Sequence, residues 1–219
     1  MNELSPLPSN RKPIKSWSDR DEAFLEVVKG IREAVRFVAN SNSSPPKQTT
    51  QELEERQYQV TSLINEAARL YEAKKFEEAA VKFKAALRLD PNSVLGHTAL
   101  GLALYGQGKL SEAIATYQRA LLIDSNYAIA HYNLGLALYG QGKLSEAIAA
   151  YQRALLIDPN YANAHCNLGI ALKGQGKLEE AIAELEIAVR LNPSSTLFRK
   201  NLEIYRNEKK GVWGRLFGG

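Results

Sequence analysis

A stretch of 34 residues written almost twice in succession constrains this chain more than any other feature. Residues 94–127 and 128–161 agree at 27 of 34 positions, including the unbroken block Leu-Gly-Leu-Ala-Leu-Tyr-Gly-Gln-Gly-Lys-Leu-Ser-Glu-Ala-Ile-Ala. A further copy at 162–195 keeps Leu168-Gly169, the run Gly174 to Leu178, Ala181-Ile182 and Asn192-Pro193. The copy at 60–93 is more diverged but keeps Leu70, Ala79, Phe83, Ala86 and Asp90-Pro91-Asn92. A unit this short cannot bury an apolar face alone, so tandem copies must stack side by side into an elongated array.

Within a unit the spacing predicts two helices. In the second copy Leu95, Ala99, Leu100, Leu102, Ala103 and Leu104 fall at helical intervals, and Gly106 and Gly108 then break the period. Glycine supplies the positive φ that a helix C-terminus and tight turn favour. Ser111 and Glu112 suit the start of the next helix, where a hydroxyl caps free N–H groups and a carboxylate meets the positive dipole end. Asp-Pro stops that helix in sister copies, because proline cannot continue the hydrogen-bond ladder.

These residues resemble the tetratricopeptide repeat family. The third copy carries His131, Leu134-Gly135, Leu138, Ala147, Tyr151, Ala154 and Pro159 at the family's signature positions. The second matches with His97, Leu100-Gly101, Leu104, Ala113, Tyr117 and Ala120, with Ser125 in place of proline. The fourth gives His165, Leu168-Gly169, Leu172, Ala181, Leu185, Ala188 and Pro193, and the first departs most, with Glu66-Ala67 where Leu-Gly is expected. The resemblance implies an all-α, right-handed superhelical solenoid whose helices approach closely at the glycines and alanines, with Phe83, Tyr117 and Tyr151 filling the space between units.

The resemblance also implies a peptide-binding groove lined by the first helix of each unit. Carried over by position, the groove residues are Leu95, Thr98, Leu102 and Tyr105; Ile129, Tyr132, Leu136 and Tyr139; and Asn163, Cys166, Ile170 and Lys173. Asn133 and Asn167 are placed either to hydrogen-bond a ligand's backbone or to tie neighbouring turns together. Family members that clamp a C-terminal carboxylate carry Lys and Arg in this groove. Only Lys173 is basic here, so the expected ligand is an apolar or amphipathic segment of a protein partner.

The flanks read differently. Residues 1–17 are expected to be a disordered leader. Residues 18–39 carry Phe24, Val27, Val28, Ile31, Ala34, Val35 and Val38 at helical spacing, an amphipathic helix able to cap the first unit, occupy the groove or self-associate. Residues 40–51 read as a linker, a further helix is expected from about Glu52, and 196–210 as a capping helix with Leu197, Phe198, Leu202 and Tyr205 for packing. The array with its cap thus spans 52–210. The tail 211–219 places Trp213, Leu216 and Phe217 beside cations, which suits docking to a partner or weak contact with a membrane surface.

Charge narrows the function further. The net charge of +4 lies entirely beyond residue 195, where six basic residues face two acidic ones. The body is balanced, so a basic nucleic-acid-binding surface is not expected. One cysteine forms no internal disulfide, and no apolar run reaches spanning length, which points to the cytoplasm, free or at a membrane surface. Gly-Gln-Gly-Lys at 106–109, 140–143 and 174–177 lacks the spacing of a phosphate-binding loop and recurs as an inter-helix turn. His97, His131 and His165 recur one per unit without neighbouring ligands, and stacked helices 8–10 Å apart cannot bring three rings onto one ion. No catalytic, cofactor or metal residues are therefore expected. The expected function is a scaffold, adaptor or assembly factor; a membrane-peripheral assembly role using the tail, and RNA binding through the tyrosines, are the alternatives.

Overall fold

The computed structural model describes residues 47–217, with side chains described for 51–210. Residues 1–46 lie outside it, so the leader and the helix expected at 18–39 are not among the described residues. Those described form nine helices and no strand. They are α1 (Lys47–Glu72), α2 (Phe76–Leu89), α3 (Val94–Gly106), α4 (Leu110–Ile123), α5 (Ala128–Gly140), α6 (Leu144–Ile157), α7 (Ala162–Gly174), α8 (Leu178–Leu191) and α9 (Thr196–Phe217). Each helix packs on the next, and first helices of neighbouring units also touch, α3 on α5 and α5 on α7. The result is a two-layer solenoid, with α1, α3, α5 and α7 in one layer and α2, α4, α6 and α8 in the other.

The turns show why the units repeat. Gly108, Gly142 and Gly176 hold φ of 77°, 78° and 82°, which only glycine adopts without strain. Around each, the lysine after the glycine donates its N–H back to a carbonyl of the preceding helix, as Lys109 does to Leu104 at 3.0 Å. The first hairpin has Lys74 at this position with φ 61°, a strained choice for a residue with a Cβ.

Ser111 does not cap its own helix. Lys109 is the N-cap of α4 without a side-chain bond, and Ser111 Oγ instead accepts from Gln141 Nε2 at 2.8 Å. Ser145 Oγ accepts from Gln175 Nε2 at 2.9 Å in the same way, so each turn glutamine staples its unit to the one before. Replacing proline by Ser125 changes little, since Asp124 accepts from the Asn126 N–H as Asp158 does from Asn160.

Helix contact inside a unit depends on glycine. A Cβ on Gly101 would stand 2.4 Å from Tyr117 Cε1, and one on Gly135 would stand 2.5 Å from Tyr151 Cε1. Both tyrosines are fully enclosed, and burial raises the Tyr117 pKa well above its ordinary value.

At the C-terminal end α9 packs on α8, burying Phe198, Leu202 and Tyr205. It begins at Thr196 and continues as one helix to Phe217, past the end expected at 210, while α1 begins at Lys47, inside the segment expected to be linker. No described helix is long and apolar enough to cross a membrane.

Candidate functional site

The residues expected to line an open groove sit on the first-helix layer, and many of them are enclosed. Thr98, Leu102, Tyr132, Asn133, Leu136, Asn163, Cys166 and Asn167 are buried, with Leu102 at 1%, Tyr132 at 0%, Leu136 at 4% and Cys166 at 1% exposure. Leu95, Tyr105, Ile129, Tyr139, Ile170 and Lys173 are half-buried. In the structure this face is largely shielded from solvent. Helices α3 and α5 carry no Asp, Glu, Lys or Arg, so the face they present has no charged side chain.

Specific contacts hold this face together. The Tyr132 ring lies 4.8 Å from Tyr161 and 6.0 Å from Tyr151, centroid to centroid, and its hydroxyl accepts from Asn167 Nδ2 at 2.9 Å. Thr98 Oγ1 donates to the Val94 carbonyl at 2.8 Å, and Asn133 Nδ2 to the Ile129 carbonyl at 2.9 Å. The two asparagines thus take up structural duties through their NH2 groups. Their carbonyl oxygens, Asn133 Oδ1 and Asn167 Oδ1, remain buried without a hydrogen-bond partner. A buried acceptor left unpaired costs stability, so each is a place where a donor would be welcomed.

Lys173, the cation expected in the groove, is engaged by the cap. Its ammonium lies 2.5 Å from Glu208 Oε2 and 4.5 Å from the centre of the Tyr205 ring. Cys166 Sγ meets Asn201 Nδ2 of α9 at 3.7 Å, a long contact. Trp213, Leu216 and Phe217 fall within α9, and their side chains lie outside the described ones.

The recurrent histidines have a role that spacing alone did not suggest. The Nε2 atoms of His97, His131 and His165 lie 2.9, 3.0 and 3.0 Å from the carbonyls of Pro91, Ser125 and Pro159, each six residues earlier. Each imidazole N–H donated to that carbonyl fastens a first helix to the turn before it. The constant offset of six from the inter-unit turn is the signal that could have revealed this. His165 also pairs through Nδ1 with Glu184 Oε2 at 2.6 Å. Burial pulls its pKa down, but the Glu184 hydrogen bond and charge and the Pro159 carbonyl outweigh burial and leave it raised. His131 has no such carboxylate, and burial leaves its pKa lowered. Among the described residues no three His, Cys, Asp or Glu side chains cluster in a way that could hold a metal ion.

Comparison with known proteins follows the same geometry. A family model described as TPR repeat matches residues 68–108, 102–142 and 137–176, and one described as tetratricopeptide repeat matches 162–195. The uncharacterized protein y4lF of Sinorhizobium fredii is 49% identical over 43 residues, which are 20% of this chain and 13% of that protein. This chain therefore spans a small part of that relative's length. Among solved structures, pilF of Pseudomonas aeruginosa is 25% identical with a TM-score of 0.66, covering 74% of each chain. YrrB, described as a TPR protein with an unusual peptide-binding site, is 23% identical with a TM-score of 0.58, over 74% of this chain and 83% of its own. The YrrB likeness is one of fold.

Proposed function

This chain belongs to the tetratricopeptide repeat family, whose arrays are protein–protein interaction scaffolds, and we propose that it binds an apolar or amphipathic peptide segment along its first-helix face. The observation that carries the reading is the uncharged face itself: Leu102, Tyr105, Tyr132, Leu136, Tyr139 and Ile170 sit beside two unpartnered amide oxygens. Such a surface takes up a helix by its apolar side and rewards one or two N–H donors from the ligand. A carboxylate-clamping role has no support here, since the one cation, Lys173, is matched to Glu208. RNA binding lacks support for the same reason. Proteins built as such scaffolds are generally not enzymes, and no acid, base or nucleophile set converges on the face. Action in the cytoplasm, free or at a membrane surface, belongs to the same proposal, and liposome flotation of a Trp213→Ala, Phe217→Ala double variant separates the two.

The test is crosslinking and affinity purification of partners from the native cell with Leu102→Glu/Leu136→Glu, and separately with Asn133→Ala/Asn167→Ala, while circular dichroism follows the fold. Loss of the same captured protein in both folded variants is expected. Unchanged capture contradicts the reading.

A further inference from the structure

The first-helix layer has the composition of a middle layer, yet the solenoid supplies only two. Neither α3 nor α5 has a charged residue, and the single lysine of α7 is committed to α9. By contrast α4, α6 and α8 each carry glutamate and arginine or further glutamates on an exposed side. Packing within and between units covers first helices on the side of their partners and along their flanks. The remaining side is the inner face, apolar and shielded from solvent.

We propose that residues 18–39 of this same chain form the third layer, an amphipathic helix lying in cis along the inner face and occupying the surface a partner would use. This rests on reading that face as a receptor for an apolar helix. Phe24, Val27, Val28, Ile31, Ala34, Val35 and Val38 recur in an i, i+3, i+4, i+7 pattern, so a helix there presents one apolar stripe. A helix of 22 residues is about 33 Å long, and first helices stack at roughly 8–10 Å, so it crosses three to four units. Seven residues, 40–46, separate it from the start of α1 at Lys47. They reach about 23–25 Å extended, enough to turn back from the end of α1. A tether this short sets an effective concentration of about millimolar, so the cis contact prevails over a second copy at ordinary protein concentrations. The segment's charges, five acidic and four basic, are near balance, and an uncharged face asks for no net charge in its ligand. A partner using this face then competes with this segment.

Hydrogen exchange with mass spectrometry on the full chain tests the proposal, together with light scattering for mass. Amides of 18–39 are expected to exchange at least about tenfold slower than in the free peptide, at concentrations where the chain has monomer mass. The double substitution Val27→Asp/Ile31→Asp should remove that protection and speed exchange in α3, α5 and α7 while leaving α4 and α6 unchanged. Free exchange of 18–39 in the native chain overturns the proposal. So does protection that grows with concentration alongside a dimer mass, which would make a second copy the occupant, or equal acceleration in both layers, which would make the segment a brace. No partner enters the measurement, so its failure leaves the partner-binding reading to be judged by the capture experiment alone.

Discussion

Helices α5 and α6 belong to one hairpin, yet they obey different rules. The outer helix α6 is amphipathic: Ala147, Ile148, Tyr151 and Ala154 are buried, while Glu146, Arg153 and even Leu156, at 70% exposure, face water. The inner helix α5 has no polar side, and Tyr132, Asn133, Leu136 and Leu138 are all buried. Leu122 of α4, at 86% exposure, repeats the outer pattern. The contrast teaches that a leucine's place in this repeat depends on the layer it belongs to. Periodicity in the outer layer marks a boundary with water, and its loss in the inner layer marks a helix with no side built for water.

The sharpest way to break the contrast is to compare one seam residue with one outer residue of the same helix. Tyr151→Ala empties the wedge against Gly135 and should cost about 3–5 kcal/mol in urea unfolding. Leu156→Ser, five residues on, should stay within about 0.5 kcal/mol. Similar losses at the two positions would dissolve the distinction between layers. A smaller effect is expected for Gln141→Ala, which removes the bond to Ser111 joining consecutive outer turns; about 0.5–1 kcal/mol is expected, with no change in helix content.

The subtlest test uses pH on two equivalent inner-layer histidines. The folded pKa of His165 is raised, so its contribution is complete below the unfolded value near 6.5 and is lost as pH rises through the folded value. His131 is lowered, so the folded state resists its protonation and stability falls as pH drops below about 6.5. His165→Gln should therefore cost more at about pH 5.5 than at about pH 8, and His131→Gln should cost less. The same pH trend in both variants would show that Glu184 does not distinguish the two sites.

The repeat made most of the fold legible, because Gly108, Gly142 and Gly176 mark the turns of the second to fourth copies, and the Gly101–Tyr117 and Gly135–Tyr151 contacts are written into the second and third. The inner face was harder to read. Apolar residues at Leu102 and Leu136 fit an open groove and an enclosed layer equally well, and only packing separates the two. Lys173 looked available because its partner Glu208 lies 35 residues away on the cap. Ser111 looked like a helix cap because its local sequence suits one, whereas its bond runs to the next unit. These are all long-range contacts, which local pattern cannot encode.

Methyl NMR of leucine-labelled full chain with a soluble paramagnetic agent tests the account most directly, because it reads solvent access of both layers at once. Leu102 and Leu136 methyl signals should persist while those of Leu122 and Leu156 broaden away. Equal broadening of all four would contradict a shielded inner face.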